Sequence, residues 1–437
     1  MVKYMKNNFI KSTIILVIGG FITKILSMVI KICLTRSVGT EGIGVYSLVL
    51  PTFNLFITLC TLSLPIAISK LISERKRKSK HIITSIIPIT IIYNLVLMVI
   101  LYLIAPILSK YLLKNTDTYY AIIAIGLTLP FICISSIIKG YFFGKERMFP
   151  HTFSNIIEQL VRLFLTIYFI PNLLKYGLNI AICGVVLINI ISEFSSIIVL
   201  MIFLPKEHIN IHDFKFDKSN MKDILEISIP TTTTRLIGSL TYFLEPIILT
   251  NVLLKVGYNN SYITLEYGII NGYVYPLLLL PSFFTMAISN ALLPVVSNRY
   301  SNNDYKYTKY KIKQAIIISL FIGIPCTIIF MIFPDKLLHF IYHTNEGVNY
   351  IKIIAPFFIL HYIQSPLTAA LQGMNKAKCA MDGTFIGAII RTILLFVISY
   401  FKVGLWGLII ASISNIIFIT FHHLYYVKKY LKENNKP

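Results

Sequence analysis

Long apolar runs recur from one end of this sequence to the other, and they constrain its fold more than any other feature. Each run has 20 or more residues, which is enough for a helix to cross a hydrocarbon layer about 30 Å thick. Helices are expected because an isolated strand in lipid would leave its backbone groups without hydrogen-bond partners. Charged residues make up 13% of the chain, well below the share in soluble domains, and no polar stretch is long enough for a separate soluble domain.

The runs predict an all-α membrane protein with about twelve transmembrane helices. The predicted spans 1 to 12 are residues 9–34, 42–71, 82–109, 119–143, 150–171, 178–203, 224–254, 266–297, 312–334, 349–373, 379–401 and 404–428. The first run follows a basic start, as in a signal peptide, but it continues past Leu26 and no small-residue cleavage site follows. We therefore interpret it as the first span.

Lys and Arg are distributed unevenly between the predicted loops. With alternate loops assigned to opposite sides, and residues toward the span ends counted with the neighbouring loop, 27 fall on one side of the membrane, 8 on the other and 5 within the spans. This asymmetry predicts a multi-pass protein of the cell membrane with both termini in the cytoplasm. The basic segment 73–80 is the clearest anchor. Contact with anionic lipid accounts for the net charge of +22, so no nucleic-acid partner is predicted.

The two halves of the sequence repeat at an offset of 228 to 230 residues. The matched pairs are Pro51 and Pro281, Pro65 and Pro294, Pro106 and Pro334, Gly144 and Gly373, and Arg162 and Arg391. Six spans per half place the start of both halves on one side, so the repeat is parallel. We predict an N-lobe at 1–203, a cytoplasmic linker at 204–223 and a C-lobe with a cytoplasmic tail at 224–437. Two such lobes suit a transporter that rocks between inward-open and outward-open states, with spans 2 and 8 bending at their prolines.

Among the basic residues inside the predicted spans, we single out five, each of which would cost about 2.5–3.5 kcal/mol in contact with lipid. They are Lys24, Lys31, Arg162, Arg235 and Arg391. Lys24 and Lys31 fall on one stripe of span 1, and Arg235 shares a broad polar face of span 7 with Glu245. Spans 2 and 8 carry polar stripes as well: Ser47, Asn54, Thr58 and Thr61, and Ser282, Thr285 and Ser289. These faces predict a shared aqueous cavity in which Lys24, Lys31, Arg235 and Arg391 bind substrate.

Some of these charges also have a structural interpretation. Glu158 precedes Arg162 by four residues, a spacing that favours an ion pair within one helix. Arg391 has Gly387 at the corresponding place, so it is expected to have another partner. Lys31 lies near the outer end of its span and could instead reach lipid headgroups. Glu245, Glu158 and Arg162 are therefore candidate coupling groups or charge partners.

The positive sign of the predicted cavity separates the classes of transporter. A drug or cation antiporter needs a buried carboxylate, whereas span 1 has two lysines and no acid. Basic side chains suit a diphosphate or sugar-phosphate headgroup. A cation-coupled multidrug antiporter and a non-transporting scaffold for wall-synthesis enzymes are the alternatives.

No enzymatic motif is present in the sequence. There is no glycine-rich nucleotide loop, no DxD motif and no G-x-S-x-G elbow, so we predict no enzymatic activity and no cofactor. Six scattered cysteines, the loop histidines His208 and His212, and an interfacial pair His422 and His423 do not predict a metal site. Transport would then run on an ion gradient, the membrane potential or the substrate gradient, with a coupling ion as a candidate partner.

Several segments resemble the multidrug/oligosaccharidyl-lipid/polysaccharide (MOP) exporter superfamily. The segment VGTEGIGVYSLV at 38–49 is similar to a hallmark of the superfamily. The segments 64–74 and 267–297, and the LQG at 371–373 followed by the Gly387 and Arg391 helix, are similar to its stage V sporulation protein B branch.

The resemblance implies a two-lobe flippase that moves an undecaprenyl-diphosphate-linked sugar outward during wall, spore-cortex or polysaccharide synthesis. It also implies that basic residues of the first span and the facing C-lobe line the cavity. Lys24, Lys31 and Arg235 are the nearest matches, although lysine replaces the usual arginine on span 1. Members of this branch usually have fourteen spans, whereas twelve are predicted here. The resemblance therefore does not predict a path for the lipid tail.

Overall fold

The computed structural model describes residues 2–74, 79–205 and 217–433, and within them all regular structure is helical. The α-helices are α1 (Val2–Thr61), α2 (Leu64–Ser73), α3 (Ser79–Ile107), α4 (Tyr119–Gly144), α5 (Met148–Leu174), α6 (Leu178–Phe203), α7 (Lys218–Lys255), α8 (Asn260–Ile269), α9 (Tyr275–Leu278), α10 (Ser282–Ser301), α11 (Tyr305–Ile332), α12 (Pro334–Tyr342), α13 (Val348–Gly373), α14 (Ala377–Ser399) and α15 (Trp406–Glu433). Between these helices lie short π-helices, Leu108–Leu112 and Ile270–Val274, and a 3₁₀ turn, Thr116–Thr118. The all-α prediction is confirmed.

The first helix is too long for one crossing of a membrane. At 1.5 Å per residue, its 60 residues measure about 90 Å, roughly three times the thickness of the hydrocarbon layer. The helix is interrupted at Gly39, whose φ of 68° and ψ of −172° are a conformation essentially restricted to glycine. α1 therefore contains predicted span 1 and most of span 2, which are joined by a kink at Gly39.

The number of spans agrees with the prediction. Ten helical stretches of the described residues are long and apolar enough to cross a membrane, and the bent pair Asn260–Leu278 and Ser282–Ser301 makes an eleventh. The first of the ten runs from Ile15 to Ser73, and its division at Gly39 raises the count to twelve.

Spans 2 and 8 are both broken, but at different members of their matched proline pairs. In span 2 the helix stops at Leu62 and Ser63, which are left-handed, and α2 restarts with Pro65 near its first position. In span 8 the break comes at 279–281, with a bend of 53°. Pro51 and Pro294 lie inside helices instead. Proline is well tolerated in the first turn of a new helix, which explains why the breaks precede Pro65 and include Pro281.

The chain divides into two compact units, Met1–Ile247 and Ile248–Pro437. The division falls inside α7 and not within the predicted linker 204–223, of which residues 206–216 lie outside the described part. The beginning of α7 is bonded to the first unit: Asn220 Nδ2 donates to Ser85 Oγ at 3.3 Å, and the Ser228 hydroxyl donates to the Leu62 carbonyl. These bonds explain why the first part of α7 belongs to the first unit.

Each unit is held together by close helix contacts at glycine. In the first unit, a Cβ on Gly140 of α4 would lie 2.8 Å from the Pro65 backbone, so α2 can approach α4 only because the side chain is absent. In the second unit, a Cβ on Gly373 would lie 2.8 Å from Val296 of α10. Tyr362 of α13 is fully buried there, and its hydroxyl donates to the Leu278 carbonyl at 2.7 Å, which satisfies a backbone group beside the break in span 8.

Candidate substrate-binding residues

Lys24 lies on an exposed stretch of α1, as do Gly20 and Ser27 of the same predicted stripe. No described carboxylate forms an ion pair with Lys24, and no atom lies within 4 Å of the place of a Cβ on Gly20. Ser27 Oγ donates to Gln159 Oε1 of α5 at 3.1 Å, and Lys31 is half-buried one turn further on. The stripe is therefore open around Lys24 and becomes enclosed toward Lys31.

Arg235 and Glu245 have different surroundings although both lie on α7. Arg235 is exposed, and no acidic side chain in the described part of the chain pairs with it. Glu245 is 3% exposed. Ten residues of helix separate them by about 15 Å along the axis, so they do not neutralise each other. The predicted broad polar face is consequently open at Arg235 and closed at Glu245.

The predicted ion pair of α5 is confirmed, and it belongs to a larger cluster. Arg162 Nη2 lies 3.0 Å from Glu158 Oε1. Lys139 Nζ of α4 lies 3.1 Å from Glu158 Oε2 and 3.8 Å from Glu193 Oε2 of α6. Arg162 also donates to Ser192 Oγ of α6 at 3.4 Å. We call Lys139, Glu158, Arg162 and Glu193 the four-charge cluster; its charges cancel, and it joins α4, α5 and α6.

Lys139 and Glu193 were missed by the sequence analysis. Both lie within predicted spans, and a charged residue inside an apolar span is in itself a signal of a partner or a function. Lys139 falls close to the end of its predicted span, where a snorkelling lysine is ordinary. Its true environment, 15% exposed and between two carboxylates, depends on how three helices pack.

The second unit does not repeat the four-charge cluster. Arg391 of α14 is half-buried, and Gly387 stands where Glu158 stands in the first half. A Cβ on Gly387 would lie 2.7 Å from Ile419 of α15, so this helix occupies the space that a carboxylate side chain would need. Thr368 and His422, at the offset of 229 from Lys139 and Glu193, carry no permanent charge.

A polar groove of about 370 Å³ lies between α10 and α13 of the second unit. It is lined by Met286, Ser289, Asn290, Leu293, His361, Gln364, Ser365, Thr368, Ala369 and Gln372, which include no acidic or permanently charged side chain. The polar residues of α13 recur at intervals of three, four and seven residues, a helical stripe that was available in the sequence. Amide, hydroxyl and imidazole groups in this arrangement can hydrogen-bond a ligand with many hydroxyl groups.

The predicted stripes of spans 2 and 8 are largely enclosed. Ser47 is 2% exposed, Thr285 is fully buried, and Asn54 is the exposed member of the span 2 stripe. Thr285 Oγ1 donates to the Ser282 carbonyl at 3.2 Å, and Ser289 Oγ donates to the Thr285 carbonyl at 2.7 Å. These hydroxyls bond to the helix that carries them, so hydroxyl spacing alone overestimated the open polar face.

Two further expectations concern histidines and loops. No group of three metal-ligating side chains occurs in the described residues, and His208 and His212 lie outside them, as do residues 75–78 of the basic anchor. The interfacial interpretation of His423 is wrong. α15 continues to Glu433, and His423 is 1% exposed with Nε2 at 3.1 Å from the Ala380 carbonyl.

Comparisons with known proteins give consistent matches over most of the chain. A family model described as polysaccharide biosynthesis protein matches residues 9–300, and one described as MatE matches residues 272–397. Stage V sporulation protein B of Bacillus subtilis is 34% identical over 98% of this chain and 85% of its own length. Lipid II flippase MurJ of the same organism is 24% identical over 89% of this chain and 77% of its own length.

A solved structure supports the architecture. An inward-facing multidrug resistance MATE family transporter of the MOP superfamily has a TM-score of 0.73 with this chain at 16% identity. The alignment covers 95% of this chain and 96% of that one. At this level of identity the likeness establishes the two-lobe transporter fold and nothing about the substrate.

Proposed function

Because this chain belongs to the polysaccharide biosynthesis protein family, within the stage V sporulation protein B branch of the MOP exporter superfamily, we propose that it is a flippase for a lipid-linked oligosaccharide. It moves an undecaprenyl-diphosphate-linked sugar to the outer face of the cell membrane by alternating access. The products of this step serve wall, spore-cortex or polysaccharide synthesis. Both termini lie in the cytoplasm, and a coupling ion or the membrane potential supplies the driving force.

The observation that carries this proposal is a contrast between two groups of basic residues within the spans. Lys139 and Arg162 lie against carboxylates, so their charge is already balanced. Lys24 and Arg235 are exposed, and neither has an ion-pair partner in the described part of the chain. A diphosphate headgroup supplies the missing negative charge, and charge-assisted hydrogen bonds to phosphate are among the strong ones. In our proposal Lys31 and Arg391 also bind the substrate.

The groove between α10 and α13 suits the sugar part of such a substrate. Its amides and hydroxyls, with Asn290 and Ser365 as examples, offer donors and acceptors without a net charge. Gln364 Nε2 already donates to the Ile416 carbonyl at 3.0 Å, which fixes its orientation. We propose that this groove binds the sugar.

Substitution of the exposed cations tests the proposal. We expect Lys24→Ala and Arg235→Ala each to reduce translocation at least about tenfold at unchanged protein levels, because each removes a charge-assisted phosphate contact. The measurement is exposure of a fluorescent undecaprenyl-diphosphate-linked oligosaccharide at the outer face of liposomes that contain the purified protein. Lys175→Ala, at the exposed end of α5, is the matched control. Wild-type rates in both variants would refute a cationic headgroup site.

A cation-coupled multidrug antiporter is the second candidate, favoured by the MatE match and by the buried carboxylate of Glu245. In that case ethidium export would require Glu245 and would be indifferent to Lys24. Export measured in cells that carry Glu245→Gln or Lys24→Ala separates the two functions. Loss of ethidium export in the first variant alone would establish the antiporter.

A further inference from the structure

A second cavity, of about 630 Å³, lies where α10, α13 and α15 of the second unit end. Its walls are Ser297, Tyr300, Ser301, Asn303, Tyr305, Gln372, Gly373, Met374, Asn375, Lys376 and Tyr430. Eight of these eleven residues have a hydroxyl, an amide or a tyrosine ring, and the lining contains no carboxylate. We call this the end cavity. Its composition suits a polar ligand, and its charge comes from Lys376.

Lys376 has a position that suits an anion. Its Nζ lies 4.8 Å from the ring centroid of Tyr430, so the aromatic face holds the ammonium in place without neutralising it. No acidic side chain among the described residues forms an ion pair with it. The nearby carboxylate of Asp304 is already engaged, because it accepts from the Tyr307 backbone at 3.1 Å and lies 3.5 Å from Arg299. The positive charge of Lys376 is therefore available to a ligand.

The walls of the end cavity stand on a packed base. Met374 is 1% exposed and belongs to an apolar cluster with Leu371 and Val296. The turn that carries Lys376 is fixed by its own backbone, since the Lys376 N–H donates to the Leu371 carbonyl at 2.8 Å. Elsewhere in the lining, the Tyr305 hydroxyl donates to Asn303 Oδ1 at 2.6 Å. A ligand would thus meet groups that are already oriented.

The surroundings of the end cavity are strongly basic. Helix ends and turns at this end of the unit carry ten Lys and Arg: Arg299, Lys306, Lys309, Lys311, Lys313, Lys376, Lys378, Lys428, Lys429 and Lys432. The same segments carry three acidic residues, Asp304, Asp382 and Glu433. Such an excess raises the local concentration of anions and favours an anionic ligand over a neutral one.

We propose that the end cavity binds a phosphate ester on a hydroxyl-rich group, with the phosphate on Lys376 and the hydroxyls on the tyrosines and amides. Two sources share this chemistry: a soluble sugar or polyol phosphate, and the headgroup of phosphatidylglycerol. The site lies wholly in the second unit, whereas Lys24 and Arg235 belong to the first. It shares Gln372 with the groove proposed for the sugar, but Lys376 and Tyr430 do not line that groove. The end cavity is thus an additional site, and binding to it can be measured without transport.

The test is direct binding of glycerol 1-phosphate to the purified full-length protein in detergent, followed by calorimetry. We expect saturable binding that Lys376→Gln weakens at least about tenfold, as loss of a charged hydrogen bond predicts. Lys378→Gln, on the exposed neighbour outside the cavity, is the matched control and should bind as the wild type does. Lys376→Arg keeps the charge and should keep most of the affinity, and equal melting temperatures show that the variants are folded.

The two sources are separated in nanodiscs. If phosphatidylglycerol is the natural ligand, its nanodiscs should compete with glycerol 1-phosphate, whereas phosphatidylcholine nanodiscs should not. Equal binding in both lipids assigns the site to a soluble phosphate ester, and both results support the proposal. It is overturned if the wild type shows no saturable binding, if Lys376→Gln binds as the wild type does, or if Lys378→Gln loses as much affinity.

Discussion

Lys139 is the residue on which the charge balance inside the first unit depends. It is the cation between Glu158 and Glu193, at 3.1 and 3.8 Å, while Arg162 contacts the first of these carboxylates. Removal of one partner from a buried ionic group leaves a charge without compensation, which is far more costly than loss of the attraction itself. A substitution of one member of the four-charge cluster consequently leaves a buried charge without compensation.

We expect Lys139→Met to lower the free energy of unfolding by about 3–5 kcal/mol, because two carboxylates then share Arg162 alone. Thermal unfolding in detergent measures the loss. The double variant Lys139→Met with Glu193→Gln restores equal numbers of buried charges and should recover a substantial part of it. A double variant less stable than the single one would show that Glu193 has another role.

For single residues, the sequence predicts contacts between positions that are close in the chain and misses contacts between positions that are far apart in it. The pair of Glu158 and Arg162 follows from a spacing of four residues, which one helix turns into a contact. Lys139 and Glu193 reach the same cluster from 19 and 35 residues away from Glu158 (158 − 139 and 193 − 158), through the packing of three helices. Exposure of Lys24 and enclosure of Glu245 likewise depend on neighbouring helices and not on the periodicity of their own.

Among the elements, α1 depends on a single glycine. Gly39 has nothing within 4 Å of the place of a Cβ, so a substitution there would act through the backbone alone. We expect Gly39→Ala to destabilise the protein by about 1–3 kcal/mol, the range for a residue forced into such a conformation. Gly20→Ala is the matched control, since that glycine is helical and equally uncrowded. Equal melting temperatures for the two variants would contradict this account of the turn.

The start of α7 predicts a dependence of stability on pH. The backbone N–H of Asn220, followed by that of Ser219 and the side chain of His81, lowers the pKa of the Asp217 carboxyl below its usual 3.8. Because the folded pKa is the lower one, the stabilisation is present above pH 3.8 and is lost as pH falls through the folded value.

We therefore expect Asp217→Asn to lower the melting temperature slightly at pH 7 and to have no effect in acid below the folded pKa. Asparagine can still cap the helix, so the difference isolates the charge. Melting curves in detergent between pH 7 and 3 measure it, with Asp335→Asn of α12 in the second unit as the control. A difference that is constant over this range would exclude the carboxylate as its cause.

The broken spans show which features of a helix can be predicted from sequence patterns. Matched prolines identified spans 2 and 8 as the two unusual helices, and both are broken. The patterns did not predict the positions of the breaks, because a proline is compatible with the interior of a helix or with its first turn. Neighbouring contacts decide between the two, as when Gly140 lets α4 approach Pro65.

For the whole molecule, the repeat is retained in the backbone more closely than in the charges. Glu146 and Asn375, 229 residues apart, both have left-handed φ values, 57° and 60°, in the turns after α4 and α13. Of the four-charge cluster of the first unit, Arg162 alone has a permanently charged counterpart, Arg391, because the other three positions correspond to Gly387, Thr368 and His422. Two units of one fold have therefore specialised, one with balanced ions in its interior and one with a neutral polar groove.

An even number of spans places both ends of the chain on the same side, and the excess of Lys and Arg predicts that this side is cytoplasmic. We expect alkaline phosphatase fused after Glu433 to be inactive in cells, since that enzyme works outside the cytoplasm. The same reporter placed at Lys402, in the turn between α14 and α15, should be active because one more crossing separates it from the C-terminus. Activity of the C-terminal fusion would reverse the proposed orientation.

The turn at Gly39 also bears on how the protein reaches its bilayer. Because one non-helical residue separates them, the first two spans have no flexible linker that would let one insert into the bilayer before the other. We expect them to leave the translocon together as a helical hairpin. The burial of their polar side chains would then begin before the remaining ten spans have been synthesised.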